Sequence, residues 1–238
     1  MDHSLNSEHL VETINILYKR MSERFPNSGL SKVCLELHTI AKETKSRCQW
    51  IKKPQILLRL GVGLVIFFIL LLTVFIVIAG IDFTVKDDTM DGIEFVDFLQ
   101  ILEVSVNMLI LIGAALFFFV TTETRKKRKR AMMSIHELRV LAHVIDMHQL
   151  TKDPERVFSE KNRTASSPQQ TMTAFELTRY LDYCAEMLSL VGKVAALYAQ
   201  DFEDEVVLTA VNDIETLTTG LSRKIWQKIV ILYRFKQQ

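Results

Sequence analysis

The chain has 238 residues, of which 49% are hydrophobic, and its 29 Lys and Arg residues nearly balance 28 Asp and Glu residues, for a net charge of +1. Three widely separated cysteines exclude a disulfide-stapled fold, and a total charge near zero gives no argument for or against a nucleic-acid partner. No phosphate-binding glycine loop, nucleophile elbow or paired-cysteine motif occurs, so we expect neither enzymatic activity nor a cofactor.

Residues 1–54 have the pattern of a short helical hairpin. Residues 25–29 contain Pro26 and Gly29, which predict a turn, and Ser28 or Ser31 is available as a helix cap. Apolar residues recur at helical spacing before and after this break: Leu10, Ile14, Leu17, Met21, Leu30, Val33, Leu37 and Ile40.

Two apolar runs follow, at residues 60–79 and 104–120, and neither contains a charged residue. About 20 helical residues cross a hydrocarbon core roughly 30 Å thick, so we predict spans over residues 55–81 and 99–122. A soluble fold would have to bury a helix that is apolar on every face, and the remaining chain is too small to wrap it. The first run also begins too late for a cleaved signal peptide.

Charge flanking the spans predicts the topology. The loop over residues 82–98 carries six acids against the single cation Lys86, whereas cations precede the first span and follow the second. Excess Lys and Arg mark the cytoplasmic side, so we expect both termini in the cytoplasm and the protein in the inner or plasma membrane. The strongest basic cluster is interpreted as an anionic-lipid contact rather than a nucleic-acid site: Arg125, Lys126, Lys127, Arg128, Lys129 and Arg130.

Polar residues in and beside the second span are candidates for a pore. Glu103 and Asn107 fall on one helical face, and Glu94 and Asp97 precede them. Charged groups at the edge of the hydrocarbon are costly unless they face water, protein or one another. In the alternative interpretation, Glu103 reaches the outer interface while Asn107 only clamps neighbouring helices.

Residues 123–150 predict a basic juxtamembrane helix that either continues the second span or joins it at an elbow. Leu138, Leu141 and Ile145 share one face. His136 and His143, a heptad apart, are weak metal candidates together with Asp146. Hydrogen-bonded surface histidines are the commoner outcome of such a pattern, so we expect no metal.

A polar linker over residues 151–172 leads to a C-terminal helical hairpin or coiled coil over residues 173–238. Apolar residues there alternate spacings of four and three, as in the seam of a heptad repeat. This pattern fits a hairpin within one chain, a coiled coil between chains, or both. The residues proposed as an oligomer seam are Leu177, Leu181, Leu188, Val191, Ile214, Leu217 and Leu221.

Taken together, these patterns predict an all-α membrane protein with two transmembrane helices and cytoplasmic helical hairpins, assembled into a symmetric homo-oligomer. The leading functional hypothesis is a channel or pore-forming effector whose acidic outer mouth favours cations. The alternative is a non-conducting scaffold or sensor that recruits a cytoplasmic protein or ligand. The expected partners are further copies of the chain and membrane lipids, anionic on the cytoplasmic side, while nucleic acid is not expected.

Overall fold

All the regular secondary structure described in a computed structural model of the chain is helical. The structure describes residues 5–53, 56–85, 92–154, 157, 171–200 and 202–236. These residues contain no strand and six α-helices: α1 (Ser7–Arg24), α2 (Gly29–Lys52), α3 (Ile56–Val85), α4 (Gly92–Leu150), α5 (Ala174–Gln200) and α6 (Glu205–Lys236). The predicted all-α class is therefore confirmed for the described part of the chain.

The chain divides into two compact units. The helical body comprises Met1–Lys52 and Arg128–Gln238, and thus contains α1, α2, the end of α4, α5 and α6. The apolar pair comprises Lys53–Lys127, and thus contains α3 and the first part of α4.

The helices α1 and α2 form a hairpin whose turn lies within the break predicted from the sequence. The Asn6 side chain caps α1 by accepting a hydrogen bond from the backbone N–H of Glu8 at 2.9 Å. Asn27 adopts a positive φ of 58°, a left-handed conformation that asparagine tolerates better than most residues. Ser28 Oγ then accepts from the backbone N–H of Ser31 at 3.1 Å and starts α2.

The helices α5 and α6 form a second hairpin, and each begins with a side-chain cap. Thr173 and Glu176 make a reciprocal capping box, because the Thr173 N–H donates to Glu176 Oε2 at 2.8 Å while the Glu176 N–H donates to Thr173 Oγ1 at 3.2 Å. Asp204 accepts from the Val207 N–H at 3.3 Å before α6. A Cβ atom at Gly192 would lie 3.3 Å from Thr218 Oγ1, so this glycine permits the close approach of α5 and α6.

The core of the helical body is built from one apolar stripe on each of its helices. The end of α4 contributes small and large residues to it, among them Ala131, Leu138 and Ile145. Polar contacts fix α2 against its neighbours. Tyr198 Oη donates to Thr44 Oγ1 at 3.1 Å, and Arg47 Nη1 donates to Ser134 Oγ at 2.9 Å and to Glu137 Oε2 at 2.6 Å.

Helix bounds differ from the sequence prediction around the acidic segment. α3 continues to Val85 and α4 begins at Gly92, so helix covers both ends of the segment 82–98 that was predicted as a loop. Apolar residues persist at both ends of this segment, and Glu94 near the start of α4 is the residue type that a helix N-terminus favours. Of the two alternatives for the second span, α4 adopts the continuous one: it is a single helix of 59 residues.

Candidate functional site

The apolar pair exposes large hydrophobic side chains along both of its helices. Soluble monomers rarely expose contiguous apolar patches larger than a few hundred Å². On α3 the exposed residues are Leu60, Leu64, Ile66, Phe67, Phe68, Leu70, Leu71, Val74, Val77 and Ile78. On the first part of α4 they are Leu99, Leu102, Val104, Val106, Met108, Leu109, Ile110, Leu111, Phe117, Phe118 and Val120.

One helical segment of the described residues, Leu102–Leu150, contains a stretch long and apolar enough to cross a membrane. A buried core helix of a soluble protein satisfies the same criterion, but none of the residues in this stretch is buried. The described part of α3 supplies a shorter apolar segment, Arg59–Leu71. The second span and the cytoplasmic position of the termini stay predictions.

Within the apolar pair, α3 and α4 meet where a small residue faces an aromatic ring. A Cβ atom at Gly61 would lie 3.8 Å from the ring of Phe119, which is ordinary van der Waals contact. Ile112 and Ala115 are half-buried on the same side of α4 as Phe119. This side of α4 is therefore less exposed than the opposite one.

The predicted polar stripe lies on a different, exposed face of α4. Glu103 and Asn107 are both exposed. Leu111 and Phe118, which continue the stripe toward the basic cluster, are exposed as well. The helix α4 also contains Glu94 and Asp97, but their side chains lie outside the described residues. Glu103 and Asn107 are thus available to lipid, to water or to another copy of the chain.

The basic cluster separates into two sets of three residues. Lys127 pairs with Glu123 at 2.7 Å, Arg128 Nη2 pairs with Asp204 Oδ2 at 2.8 Å, and the Arg130 guanidinium stacks 3.9 Å from the centre of the Trp50 ring. Arg125, Lys126 and Lys129 are exposed. Three of the six predicted headgroup contacts therefore have protein partners, and the lipid role of the cluster stays a prediction.

The Arg128–Asp204 ion pair joins α4 to the residue before α6 and has a buried carboxylate. The Asp204 side chain is 4% exposed and the Arg128 side chain 42% exposed. Burial alone would raise the pKa of Asp204, but hydrogen bonds from Arg128 and from the start of α6, together with the Arg128 charge, lower the pKa of Asp204 overall. Arg128 lies three residues before the buried Ala131, so the apolar stripe of α4 predicts its inward direction.

The weak metal candidates do not converge. His136 and His143 are exposed, and Asp146 accepts a hydrogen bond from Gln149 Nε2 at 2.6 Å. The described residues contain no group of three His, Cys, Asp or Glu side chains placed to hold a metal ion. Two turns of helix separate His136 from His143, which is too far for one ion.

The seven residues predicted as an oligomer seam pack inside a single chain. Leu177, Leu181, Leu188, Val191, Ile214 and Leu221 are buried, and Leu217 is half-buried against the same core. The hairpin alternative left open by the sequence accounts for their burial. Assembly of several copies stays a prediction, and it needs a different surface because the two facing helices already cover this one.

The three cysteines are free thiols. Burial raises the pKa of Cys34 and of Cys184 to about 12, so both thiols are protonated and inert at neutral pH. The half-buried Cys48 donates a hydrogen bond to the Leu197 carbonyl oxygen at 3.6 Å.

Sequence reasoning missed a polar cluster at the end of α4. Lys228 Nζ on α6 donates to the carbonyl oxygens of Gln149 at 2.7 Å and Lys152 at 3.0 Å, and so caps α4. His148 lies close to the start of α2, because a Cβ at Gly29 would come within 2.7 Å of its ring. Burial lowers the pKa of both Lys228 and His148. The cluster joins α2, α4 and α6.

No protein-family model, curated protein or solved structure matches this chain.

Proposed function

We propose that the chain is an integral membrane protein that spans the bilayer twice, through α3 and through the first part of α4. The observation that carries this proposal is the apolar side-chain surface exposed along both helices. A helix of 30 residues, such as α3, is about 45 Å long and exceeds the roughly 30 Å of a hydrocarbon core. Both termini then lie in the cytoplasm, because the Lys and Arg excess flanks the outer ends of the two spans.

Cysteine labelling tests this topology. In a Cys48→Ser background, Thr89→Cys is expected to react with an impermeant maleimide in intact cells, because residue 89 lies between the two proposed spans. Lys224→Cys, at an exposed position on α6, is expected to react only after permeabilisation. The reverse pattern contradicts the orientation, and equal labelling of both sites in a soluble fraction contradicts membrane insertion altogether.

For activity, we propose that copies of the chain surround an axis lined by the exposed face of α4 and form a cation-favouring channel. Glu103 and Asn107 support this proposal because they are polar and exposed in a segment that is otherwise apolar. In a symmetric assembly, one Glu103 from each copy makes a ring of carboxylates near the outer mouth. Such a ring concentrates cations and repels anions.

Planar-bilayer recording of the purified oligomer tests the channel. Glu103→Gln is expected to lower the cation-to-anion permeability ratio several-fold, because it removes the charge of the ring while keeping the size of the side chain. Asn107→Leu is expected to reduce conductance by removing a polar group from the same face. Glu215→Gln neutralises an exposed carboxylate on α6 and serves as the matched control, with wild-type selectivity expected.

A non-conducting scaffold or sensor is the second candidate, and two observations favour it. Below Asn107, the same face of α4 continues with the apolar residues Leu111, Ala114 and Phe118, so no polar path continues toward the cytoplasm. The helical body also has a cavity of about 250 Å³ lined by Arg20, Glu23, Arg24, Arg179 and Tyr183. Guanidinium groups in such a cavity suit an anionic ligand or an acidic peptide, which would compete with the Glu186 partner of Arg20 and the Asp182 partner of Arg179.

Recording also separates the two candidates. If the oligomer conducts and neither Glu103→Gln nor Asn107→Leu changes the current, the pore is not lined by this face of α4. An oligomer that stays silent in the bilayer, and that pulls down a cytoplasmic partner only while Arg24 and Arg179 are intact, favours the scaffold.

A further inference from the structure

The end of α4 carries an exposed seam that no other described helix covers. Along residues 133–150, six of the seven exposed positions alternate spacings of three and four, and the seventh is Glu137: Met133, His136, Val140, His143, Met147 and Leu150. Met133 is 62% exposed, Val140 49%, Met147 67% and Leu150 63%, while His136 and His143 are exposed between them. This spacing is that of the a and d positions of a heptad repeat, in which Met133, Val140 and Met147 occupy a positions.

We propose that this seam, hereafter the α4 seam, binds the α4 seam of a second copy in a parallel, in-register coiled coil. The proposal rests on the proposed membrane function, because two copies with one topology in one bilayer present the seam in the same direction. α4 is a single helix that enters the seam from its membrane end. Met133 therefore lies at the membrane end of the seam in every copy, and an antiparallel pair is excluded.

Register follows from the polar positions of the seam. At zero offset His136 and His143 face their counterparts, and the apolar a positions face one another. A shift by three or four residues places the imidazoles against Met133, Val140 or Met147 and leaves them without a polar partner. Polar residues at single core positions select register in this way in parallel coiled coils.

Charged residues beside the α4 seam already have an ion-pair or hydrogen-bond partner within their own chain. Glu137 binds Arg47 at 2.6 Å, Arg139 binds Asp213 at 3.3 Å, and Asp146 accepts from Gln149 at 2.6 Å. Within residues 133–150, association therefore buries no charged group that lacks a polar partner. In a parallel pair, position 132 faces position 137 of the other copy and position 139 faces position 144, so no two like charges meet within these residues. One turn toward the membrane, the exposed Lys129 takes the next d position and faces its counterpart in the basic cluster.

The α4 seam is short, and its length indicates where the rest of the affinity comes from. Its 18 residues span about 27 Å, or two and a half heptads. Only its six positions and their flanking residues face the partner, which is fewer than the roughly 20 to 30 residues per side of a standard protein interface. Confinement of both copies to one bilayer raises their effective concentration and makes a short seam sufficient. A soluble partner protein has no such advantage, which favours a second copy as the occupant.

Disulfide cross-linking of the full chain in membranes tests the proposal. In a Cys48→Ser background, Val140→Cys and Met147→Cys are each expected to give a band of twice the chain mass on mild oxidation, because a-position side chains of an in-register pair lie within disulfide distance. Leu208→Cys on α6 and Ile16→Cys on α1 are 45% and 50% exposed, and they serve as matched controls expected to stay monomeric. The buried Cys34 and Cys184 remain unchanged in every variant.

Two outcomes overturn the proposal that two α4 seams form a parallel coiled coil. One is cross-linking at Val140→Cys no stronger than at Leu208→Cys. The other is efficient mixed cross-linking of Met133→Cys with Leu150→Cys, which indicates antiparallel helices. Fractionation of the same samples separates failure of the seam from failure of the membrane proposal, since a chain that sediments with membranes and does not cross-link contradicts the seam alone.

A second variant measures assembly without covalent capture. Val140→Glu places carboxylates on both sides of the seam at an exposed position, so the chain is expected to keep its thermal transition while its oligomer mass falls at least twofold by native mass spectrometry. Leu208→Glu, the control, is expected to keep both. An unchanged mass for Val140→Glu overturns the proposal.

Discussion

Replacing Leu188 by aspartate is expected to unfold the helical body rather than to dissociate an oligomer. Leu188 is completely buried between α5 and its neighbours, so the new carboxylate would have no water and no partner. Leu188→Ala alone should cost about 2–5 kcal/mol, the range for leucine truncation in a core. For a domain stable by about 5–15 kcal/mol, Leu188→Asp together with Leu181→Asp exceeds what the fold can absorb.

Thermal unfolding followed by circular dichroism in detergent checks this expectation. Leu188→Ala should lower Tm by roughly 10 °C, and the double aspartate variant should show no cooperative transition for the helical body. Leu208→Asp, at a 45% exposed site on α6, is the control and should change the free energy of unfolding by no more than about 0.5 kcal/mol. A double variant with wild-type Tm but a reduced oligomer mass would instead assign these leucines to contacts between chains.

For the same leucines, the sequence predicts burial but not the helix that buries them. Heptad spacing identifies which residues of α5 and α6 are covered, and the structure buries Leu177, Leu181 and Ile214 as that spacing predicts. Heptad spacing does not identify what covers these residues, because a helix of the same chain and a helix of another chain can bury an apolar stripe equally well. In the folded chain, the turn before α6 reverses the chain direction, so the apolar stripe of α6 packs on the apolar stripe of α5.

Charged residues were less predictable than apolar ones. Six consecutive cations after the second span read as a single basic patch, yet helical phase turns Arg128 toward Asp204 and leaves Lys129 exposed. The partner residue lies 76 positions away along the chain, so the pairing depends on tertiary structure. The phase itself was available from the sequence through Ala131 and Leu138, which fix the inner face of α4.

The α4 seam was not predicted from the sequence, for a different reason. His136 and His143 interrupt the apolar residues at two of its six positions, so the apolar residues alone do not follow a heptad spacing. Exposure on the folded chain reveals the alternating spacing because it identifies the outer face independently of residue type.

Removal of the Asp204 carboxylate is also expected to cause a large loss of stability. Two substitutions at this position separate its role as the cap of α6 from its role as the ion-pair partner of Arg128. Asp204→Ala removes both the cap of α6 and the partner of Arg128, and it should cost at least the 1–2 kcal/mol or so of a lost N-cap. Asp204→Asn keeps a good capping side chain and removes only the charge, so its loss should be smaller. Asp213→Asn is the matched control, because its pair with Arg139 is exposed on both sides and contributes little.

The pH dependence of stability distinguishes the charge of Asp204 from its cap. The pKa of Asp204 is lower in the folded chain than in the unfolded chain, where it is near 3.9. Its ionised form therefore stabilises the fold fully above about pH 5, and this contribution falls as the pH drops through 4 toward the folded pKa. The Tm difference between the wild-type chain and Asp204→Asn should accordingly be largest near neutral pH and shrink below pH 4, whereas the deficit of Asp204→Ala relative to Asp204→Asn should persist. A wild-type advantage over Asp204→Asn that is constant from pH 7 to pH 3 would show that the Arg128 charge contributes nothing at this site.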